Sequence, residues 1–443
     1  MLRISRHPAR TVALAFLLVV VAGTGLLALP IATEGPQAAD LLTALFTAVS
    51  AVCVTGLIVV DTPSYWSAFG ETVIVVLIQV GGFGIMTFAT LLGMAVLGRW
   101  RLAGRLVAQA ETKTIRLGDV RGVILRVGLI TFTVELVIAV ILFARWHFGY
   151  GYDIATAAWH SVFHSISAFN NAGFALYPDN LESFATDAVI MLPIALAVII
   201  GGIGFPVLVE LARKVKQPRH WSIHTKITLI GTAVLLVVGF IAYLALEWRN
   251  PHTIGTFGWL DKIQSSFVAS VMPRTAGFNA IPIGDLHRET LAVTDVLMFI
   301  GGGSGGTAGG IKVTTFLLLW FVILAEIRGD PNVSVFNRNI TPQVQRQALT
   351  VVLLGVGAVG AATIALLTLT DHPLDAVVFE AVSAFATVGL STGITADVGT
   401  VGQSILIVLM FMGRVGTITF ATALALRARP LHYRFPDERP IVG

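Results

Sequence analysis

The chain has 443 residues, of which 55% are hydrophobic and 12% charged, with a mean hydropathy of +0.83 and a formal net charge of +4. So few charges cannot cover a soluble surface of that size, and such hydrophobicity excludes a disordered chain. The single cysteine, Cys53, excludes a disulfide framework and a cysteine-based zinc or iron–sulfur site, which leaves a polytopic membrane protein carrying an unusual 44 glycines.

Taken in chain order, apolar runs fall near 11–30, 71–97, 127–147, 187–211, 227–247, 292–325, 347–369 and 402–426. Each approaches or exceeds the ~20 residues of a helical bilayer crossing. The first has a basic flank and small residues near Ala28–Ala32, as a signal peptide would. Its length and the repeat that follows it favour a retained helix. Between paired runs lie shorter semi-polar segments at 40–52, 155–169, 261–272 and 374–386. Each has an acidic residue near its start (Asp40, Asp153, Asp261, Asp375), where a helix N-terminus favours one. Too short to cross, they read as re-entrant half-helices, which a bilayer tolerates only where the backbone beyond them lines a cavity.

The half-helices end in Cys53-Val54-Thr55-Gly56-Leu57, Asn170-Asn171-Ala172-Gly173-Phe174, Arg274-Thr275-Ala276-Gly277-Phe278 and Ala386-Thr387-Val388-Gly389-Leu390. A second glycine follows in each outgoing run, at Gly81, Gly201, Gly301 and Gly413. Four matches in register predict an all-α membrane protein of four span–pore-helix–span repeats with pseudo-fourfold symmetry. It would hold eight transmembrane helices and four re-entrant half-helices. The expected units are 1–98, 99–213, 214–328 and 329–426, with a short cytosolic tail at 427–443.

Basic residues bunch at Arg3–Arg10, Arg99–Arg126, Arg213–Lys226, Arg328–Arg346 and Arg427–Arg439, while the intervening loops carry only Arg145, Arg249, Lys262 and Arg288. The positive-inside rule places the bunches and both termini in the cytoplasm. This bias is a topology signal, so nucleic acid is discounted as a partner despite a pI of about 9.4.

A monovalent cation stripped of water needs substitute oxygens at fixed distances, and backbone carbonyls from four convergent loops provide them without buried full charges. Glycine permits the required conformation and close approach because it lacks a Cβ. Gly56, Gly173, Gly277 and Gly389 are therefore candidate K⁺-binding positions. The residues before them add carbonyl layers: Cys53, Val54, Thr55; Asn170, Asn171, Ala172; Arg274, Thr275, Ala276; and Ala386, Thr387, Val388. Half-helix C-termini facing the axis add partial negative charge.

The sixth run is interrupted by Gly301-Gly302-Gly303-Ser304-Gly305-Gly306-Thr307-Ala308-Gly309-Gly310-Ile311-Lys312. Each glycine disfavours a helix interior by about 1 kcal/mol relative to alanine, so an unbroken helix is not expected there. A phosphate-binding loop is excluded, since Val313 follows Lys312 and no strand precedes the stretch. Ser304 also resembles an intramembrane protease nucleophile, but downstream only His372 and His432 are present, and neither suits a general base. Arg414 lies inside the last run, where an arginine faces a cavity and a partner. His160 and His164, spaced i, i+4, lack a third ligand nearby and read as packing residues.

These four filter sequences and the glycine-rich interruption resemble the Trk/Ktr/HKT superfamily of cation transporters over essentially the full length. The chain is most similar to the membrane subunit of bacterial Ktr potassium-uptake systems. The resemblance implies no enzyme but gated K⁺ uptake through a channel-like pore, with no cofactor in this chain and Na⁺ as a candidate activator. It implies a homodimer in the plasma (inner) membrane and a cytosolic nucleotide-binding regulatory ring that senses ATP or ADP. It makes residues 301–312 the gate beneath the filter, with Arg414 as a pore-lining charge, and gives Arg274 and Glu380 filter-supporting roles. Gly56 at the first filter position favours K⁺, because some plant relatives that admit Na⁺ carry serine there. A Na⁺-permeable or Na⁺-coupled symporter on the same scaffold is the alternative, with an intramembrane serine protease as the alternative of another class.

Overall fold

The computed structural model describes residues 8–105 and 117–416. Arg3, Arg6, Lys113, Arg116, the end of the last apolar run and the tail 427–443 lie outside the described residues. The helices fall into four successive units of incoming span, half-helix and outgoing span. The first comprises Pro8–Leu27, Leu41–Val52 and Ala68–Arg105, and the second Leu117–Ala144, Ile154–Phe169 and Ala188–Ile203 with Phe205–Lys214. The third comprises Ile223–Glu247, Trp259–Val271 and Arg288–Phe299 with Val313–Arg328. The fourth comprises Pro342–Leu369, Leu374–Ala386 and Gly399–Phe411, the last continuing as a π-turn over Met412–Gly416.

Asp40 and Asp153 cap their half-helices, accepting from Thr43 N and from Ala155 and Thr156 N, whereas Asp261 and Asp375 lie within the first turn. The outgoing span of each unit packs on the half-helix of the next, and that of the fourth packs on the first. The units therefore close into a ring. Apolar side chains such as Leu18, Leu129, Leu136, Ile241, Leu353 and Ile364 face outward, as a surface in contact with lipid requires. Among the described residues, three stretches, Ile124–Gly149, Ile223–Glu247 and Pro342–Leu369, are by themselves long and apolar enough to cross a membrane. The first helix is integrated into the ring: Phe16, Val20 and Leu27 are buried in the core of the first and fourth units.

Two outgoing spans are broken. The third is interrupted at 301–312 as expected. The second, expected to be continuous over 187–211, turns by 97° between Ala188–Ile203 and Phe205–Lys214. Pro206 gives the physical reason. A continued helix would satisfy the Gly202 carbonyl from residue 206, and proline has no N–H. Gly204 makes the turn at φ +101. Between the third and fourth units, Ser334–Val335 and Arg338–Asn339 pair antiparallel, with Ser334 opposite Asn339, around Phe336 and Asn337 at positive φ.

A buried carboxylate fixes the outer end of the third unit. Glu247, at the end of its incoming span, is fully buried. It accepts from Thr290 Oγ1 at 2.5 Å, Asn250 Nδ2 at 2.7 Å, Thr253 Oγ1 at 2.8 Å and His287 N at 3.0 Å. It thus ties the incoming span to the start of the outgoing one. Removing it leaves several buried donors unpaired, each at about 1–3 kcal/mol. Glu247→Ala is expected to lower the thermal unfolding midpoint in detergent clearly, while Glu289→Ala, on the exposed face of the same outgoing span, leaves it in place.

Candidate functional site

Three half-helices end in the same way. The residue two before the glycine that ends each of these loops, at Gly56, Gly173 and Gly389, adopts a left-handed conformation at Val54 (φ +54), Asn171 (φ +59) and Thr387 (φ +52). Their N–H groups bond to the carbonyls of Ala51, Ala168 and Ala384, and the next N–H groups, of Thr55, Ala172 and Val388, to those of Ser50, Ser167 and Ser383. This is the Schellman closure. The same three serines brace the chain beyond. Ser50 Oγ accepts from Gly56 N at 3.1 Å and donates to Leu57 O at 2.7 Å. Ser167 Oγ donates to Phe174 O at 2.8 Å, and Ser383 Oγ accepts from Gly389 N at 3.1 Å.

The third loop differs. Its serine, Ser270, stands one residue further from Gly277 and bonds Phe267 O inside the helix. Ala276 N reaches Met272 O instead of closing the Schellman pair. Thr275 is nonetheless left-handed at φ +67.

The four glycines also have positive φ, from +68 to +96, and they form a closed ring. A Cβ on Gly56 would strike the Ala172 carbonyl oxygen, and one on Gly173 would lie 2.7 Å from that of Ala276. One on Gly277 would strike Val388 O, and one on Gly389 would strike Thr55 O. The loops thus touch in repeat order, one to four and back to one, and no side chain fits at any of the four positions. Further out, Gly81, Gly201 and Gly413 each lie against the carbonyl four residues before their own filter glycine, at Val52, Phe169 and Phe385. The equivalent Gly301 instead meets Gly309 O, and its carbonyl accepts from Arg274 Nη2 at 3.3 Å.

On one side of the ring lies a cavity of about 360 Å³ lined by Gly56, Gly389, Asn180, Asn279, Asp61 and Glu182, among others. Asn180 Nδ2 donates to Gly173 O at 3.2 Å, and Asn279 Nδ2 donates to Glu182 Oε1 at 2.6 Å. Burial pushes the Glu182 carboxyl above its ordinary range, and the Asn279 bond opposes that shift.

On the other side lies the 301–312 loop. Its neck is closed by Gly301 N to Ile311 O at 2.8 Å and Val313 N to Gly302 O at 3.0 Å. It exchanges backbone bonds with the break in the second unit: Gly303 N donates to Gly202 O, Thr307 N to Gly201 O, and Phe205 N to Gly305 O. The carbonyls freed by Pro206 and by the turn at Gly204 are the ones the loop occupies. Toward the glycine ring, Thr307 Oγ1 donates to Asn171 Oδ1 at 2.8 Å and Gly309 N to Thr275 Oγ1 at 3.2 Å. Gly310 lies against Ala386. Lys312 Nζ folds back onto Ala308 O. Arg414, 2% exposed, donates from Nη1 to Thr307 O, and its Nε and Nη2 have no protein partner.

The remaining expected residues are placed as follows. Asn170 directs its amide to Gln79 and Glu135 on the flanking spans, at 2.7 and 3.2 Å. Arg274 and Glu380 serve different repeats and have separate partners. Glu380 is fully buried and holds Ser391, Thr392 N and Thr395 beyond the fourth filter loop. His160 bonds Tyr177 Oη, and His164 bonds the His160 carbonyl and Leu176 N inside an aromatic cluster with Trp146. Ser304 faces Thr314 Oγ1 at 3.0 Å. The serine braces were missed in the sequence, although their constant distance of six residues before three of the glycines was there to be read.

The family described as TrkH, cation transport protein, matches residues 4–429. The chain belongs to the TrkH cation transport family. It is 40% identical to the Ktr system potassium uptake protein B of Bacillus subtilis over 98% of this chain and 97% of the relative. It is 36% identical to the protein of that name from Vibrio alginolyticus, covering 98% and 94%. To the potassium/sodium uptake protein NtpJ of Enterococcus hirae it is 33% identical, covering 98% and 97%. The crystal structure of the potassium transporter TrkH from Vibrio parahaemolyticus matches in fold with a TM-score of 0.71, at 20% identity, over 94% of this chain and 84% of that one. The family is one of transporters, not enzymes.

Gly173→Ala places a methyl 2.7 Å from the Ala276 oxygen and 2.8 Å from the Gly277 Cα. Backbone on both sides leaves no room to yield. The variant is expected to lose at least about tenfold in cation flux, the factor set by ~1.4 kcal/mol, while remaining monodisperse in detergent. Ser50→Ala, which removes a brace, is expected to lose more flux than Ser270→Ala, which removes none.

Proposed function

We propose that the chain takes up potassium through a gated, channel-like pore whose filter is the glycine ring. The closed contact of the four loops in repeat order carries this reading. It brings backbone carbonyls of every repeat to one place without a charged side chain in the ring, as selection of a weakly hydrated monovalent cation requires. The half-helix C-termini at the filter contribute partial negative charge, and the outer cavity with Asp61 and Glu182 offers an acidic approach. The names of the relatives from Bacillus subtilis and Vibrio alginolyticus point to potassium. One relative is named for potassium and sodium together, so Na⁺ permeation or coupling is the second reading.

In this proposal the 301–312 loop is the gate. It lies against the inner ends of the second, third and fourth filter loops, held by Arg414 and by the broken span of the second unit. Backbone bonds with few side chains suit a segment that must leave and return. The Ktr relatives are named as parts of a system, which supports a partner protein; we propose that it is cytosolic, binds nucleotide and acts on the basic inner loops. We further propose a homodimer in the plasma membrane with both termini cytoplasmic.

Flux into proteoliposomes under separate K⁺ and Na⁺ gradients tests the proposal. Downhill K⁺ uptake well above Na⁺ uptake is expected, and uphill K⁺ movement driven by a Na⁺ gradient would establish the symporter instead. Arg414→Ala removes a charge and a bond to the loop, and is expected to raise flux about fivefold in the absence of any partner, the factor of one charge-assisted bond partly replaced by water. Unchanged flux would remove Arg414 from the gate.

A further inference from the structure

The third filter loop lacks both internal restraints that hold the other three. It has no Schellman closure, and Ser270 does not reach it. Its restraints come from elsewhere in the chain: Asn171 Nδ2 donates to the Arg274 carbonyl at 3.3 Å, and Gly309 N donates to Thr275 Oγ1 at 3.2 Å. Asn171 is the hinge of this arrangement. Its left-handed backbone, a conformation asparagine tolerates well, throws the side chain inward from the second filter loop. There the amide donates to the third loop and its Oδ1 accepts from Thr307 of the 301–312 loop at 2.8 Å. Val54, at the same position in the first repeat, has no group that could do either.

We propose that Asn171 couples the intramembrane loop to ion selectivity. While Thr307 is seated, the Asn171 amide is oriented toward Arg274 O and the third filter loop is fixed. The conducting state is taken to keep Thr307 seated while the rest of the loop clears the path. Where Thr307 is displaced as well, that orientation and the Gly309–Thr275 bond are lost together, and the third loop relaxes. A ring with one unfixed member adapts to a smaller cation, so discrimination falls with loop displacement. Asn171 is thus a positioning residue acting through the Arg274 carbonyl, and the proposal rests on the pore reading above. Thr307 has a role in selectivity although it is no part of the filter.

The test is the ratio of rubidium to sodium uptake by the full chain in proteoliposomes, measured for wild type, Thr307→Val, Thr307→Ser, Asn171→Ala and the double variant Thr307→Val/Asn171→Ala. Thr307→Val keeps the shape and removes the hydroxyl. It is expected to lower the ratio by about fivefold, the factor one neutral hydrogen bond is worth. Asn171→Ala should lower it at least as far, and the double variant no further than Asn171→Ala alone. Thr307→Ser, which retains the hydroxyl, should keep the wild-type ratio. If Thr307→Val alters the amount of uptake and leaves the ratio untouched, or if the two losses multiply independently, the coupling is overturned. Because Thr307→Val is nearly isosteric, it preserves the test even if Asn171→Ala fails to fold. Wild-type liposomes without cation uptake above empty ones would overturn the pore reading itself, a distinct result from uptake with an unaltered ratio.

Discussion

The four glycines stand where four backbones approach more closely than any side chain permits. Each would-be Cβ meets the carbonyl or Cα of the next repeat, so the ring closes only with hydrogen at all four positions. Other features follow from holding that ring at membrane depth. The half-helices must end there, which places left-handed residues just before the glycines. The ends must be stiff, which three buried serines and the Schellman bonds provide. The outgoing spans must pass close behind, which Gly81, Gly201 and Gly413 allow. The apolar exterior suits a protein whose non-helical backbone cannot face lipid, and the interior around the ring is largely apolar as well.

The pseudosymmetry is broken where the second and third units meet. Gly204 and Pro206 break one span, the glycine-rich stretch breaks another, and the two breaks satisfy each other's backbone groups. Neither would be stable alone at membrane depth, because each leaves carbonyls and amides without partners. Reciprocal bonding makes the seated loop a complete structure, while each bond is an ordinary neutral one of modest net strength. Arg414 adds a charge-assisted contact at Thr307 O, beside those of Arg274 to Gly301 O and Lys312 to Ala308 O, with its Nε and Nη2 left without a protein partner.

Much of this was legible in the sequence because it depends on residues with few substitutes. Left-handed backbone with no room for a Cβ demands glycine, so four glycines in register located the ring of loops, and the density of glycine at 301–312 located the break. Half-helix limits were read to within two residues, since their acidic starts and apolar lengths are local signals. The second break was missed because Ile199–Val209 is apolar apart from its glycines, and the run was taken as continuous. Hydropathy does not register a lost N–H. The serines were missed because a serine in a half-helix gives no sign of whether it faces a carbonyl or lipid. The double role of Asn171 was out of reach, for its partners at Arg274 and Thr307 lie more than a hundred residues away. Likewise Arg274 and Glu380, read together as filter supports, brace different loops through separate partners.

In the proposed pore, one chain supplies a ring of backbone oxygens that holds a partly dehydrated monovalent cation. Anomalous diffraction from crystals of the protein soaked in thallium or rubidium salt tests it directly. Density is expected on the ring axis, between the carbonyls of Thr55, Ala172, Ala276 and Val388, at an occupancy that falls more when potassium competes with the heavier ion than when sodium does. Density only at surface carboxylates such as Asp61 or Glu182, with none inside the ring, would contradict it.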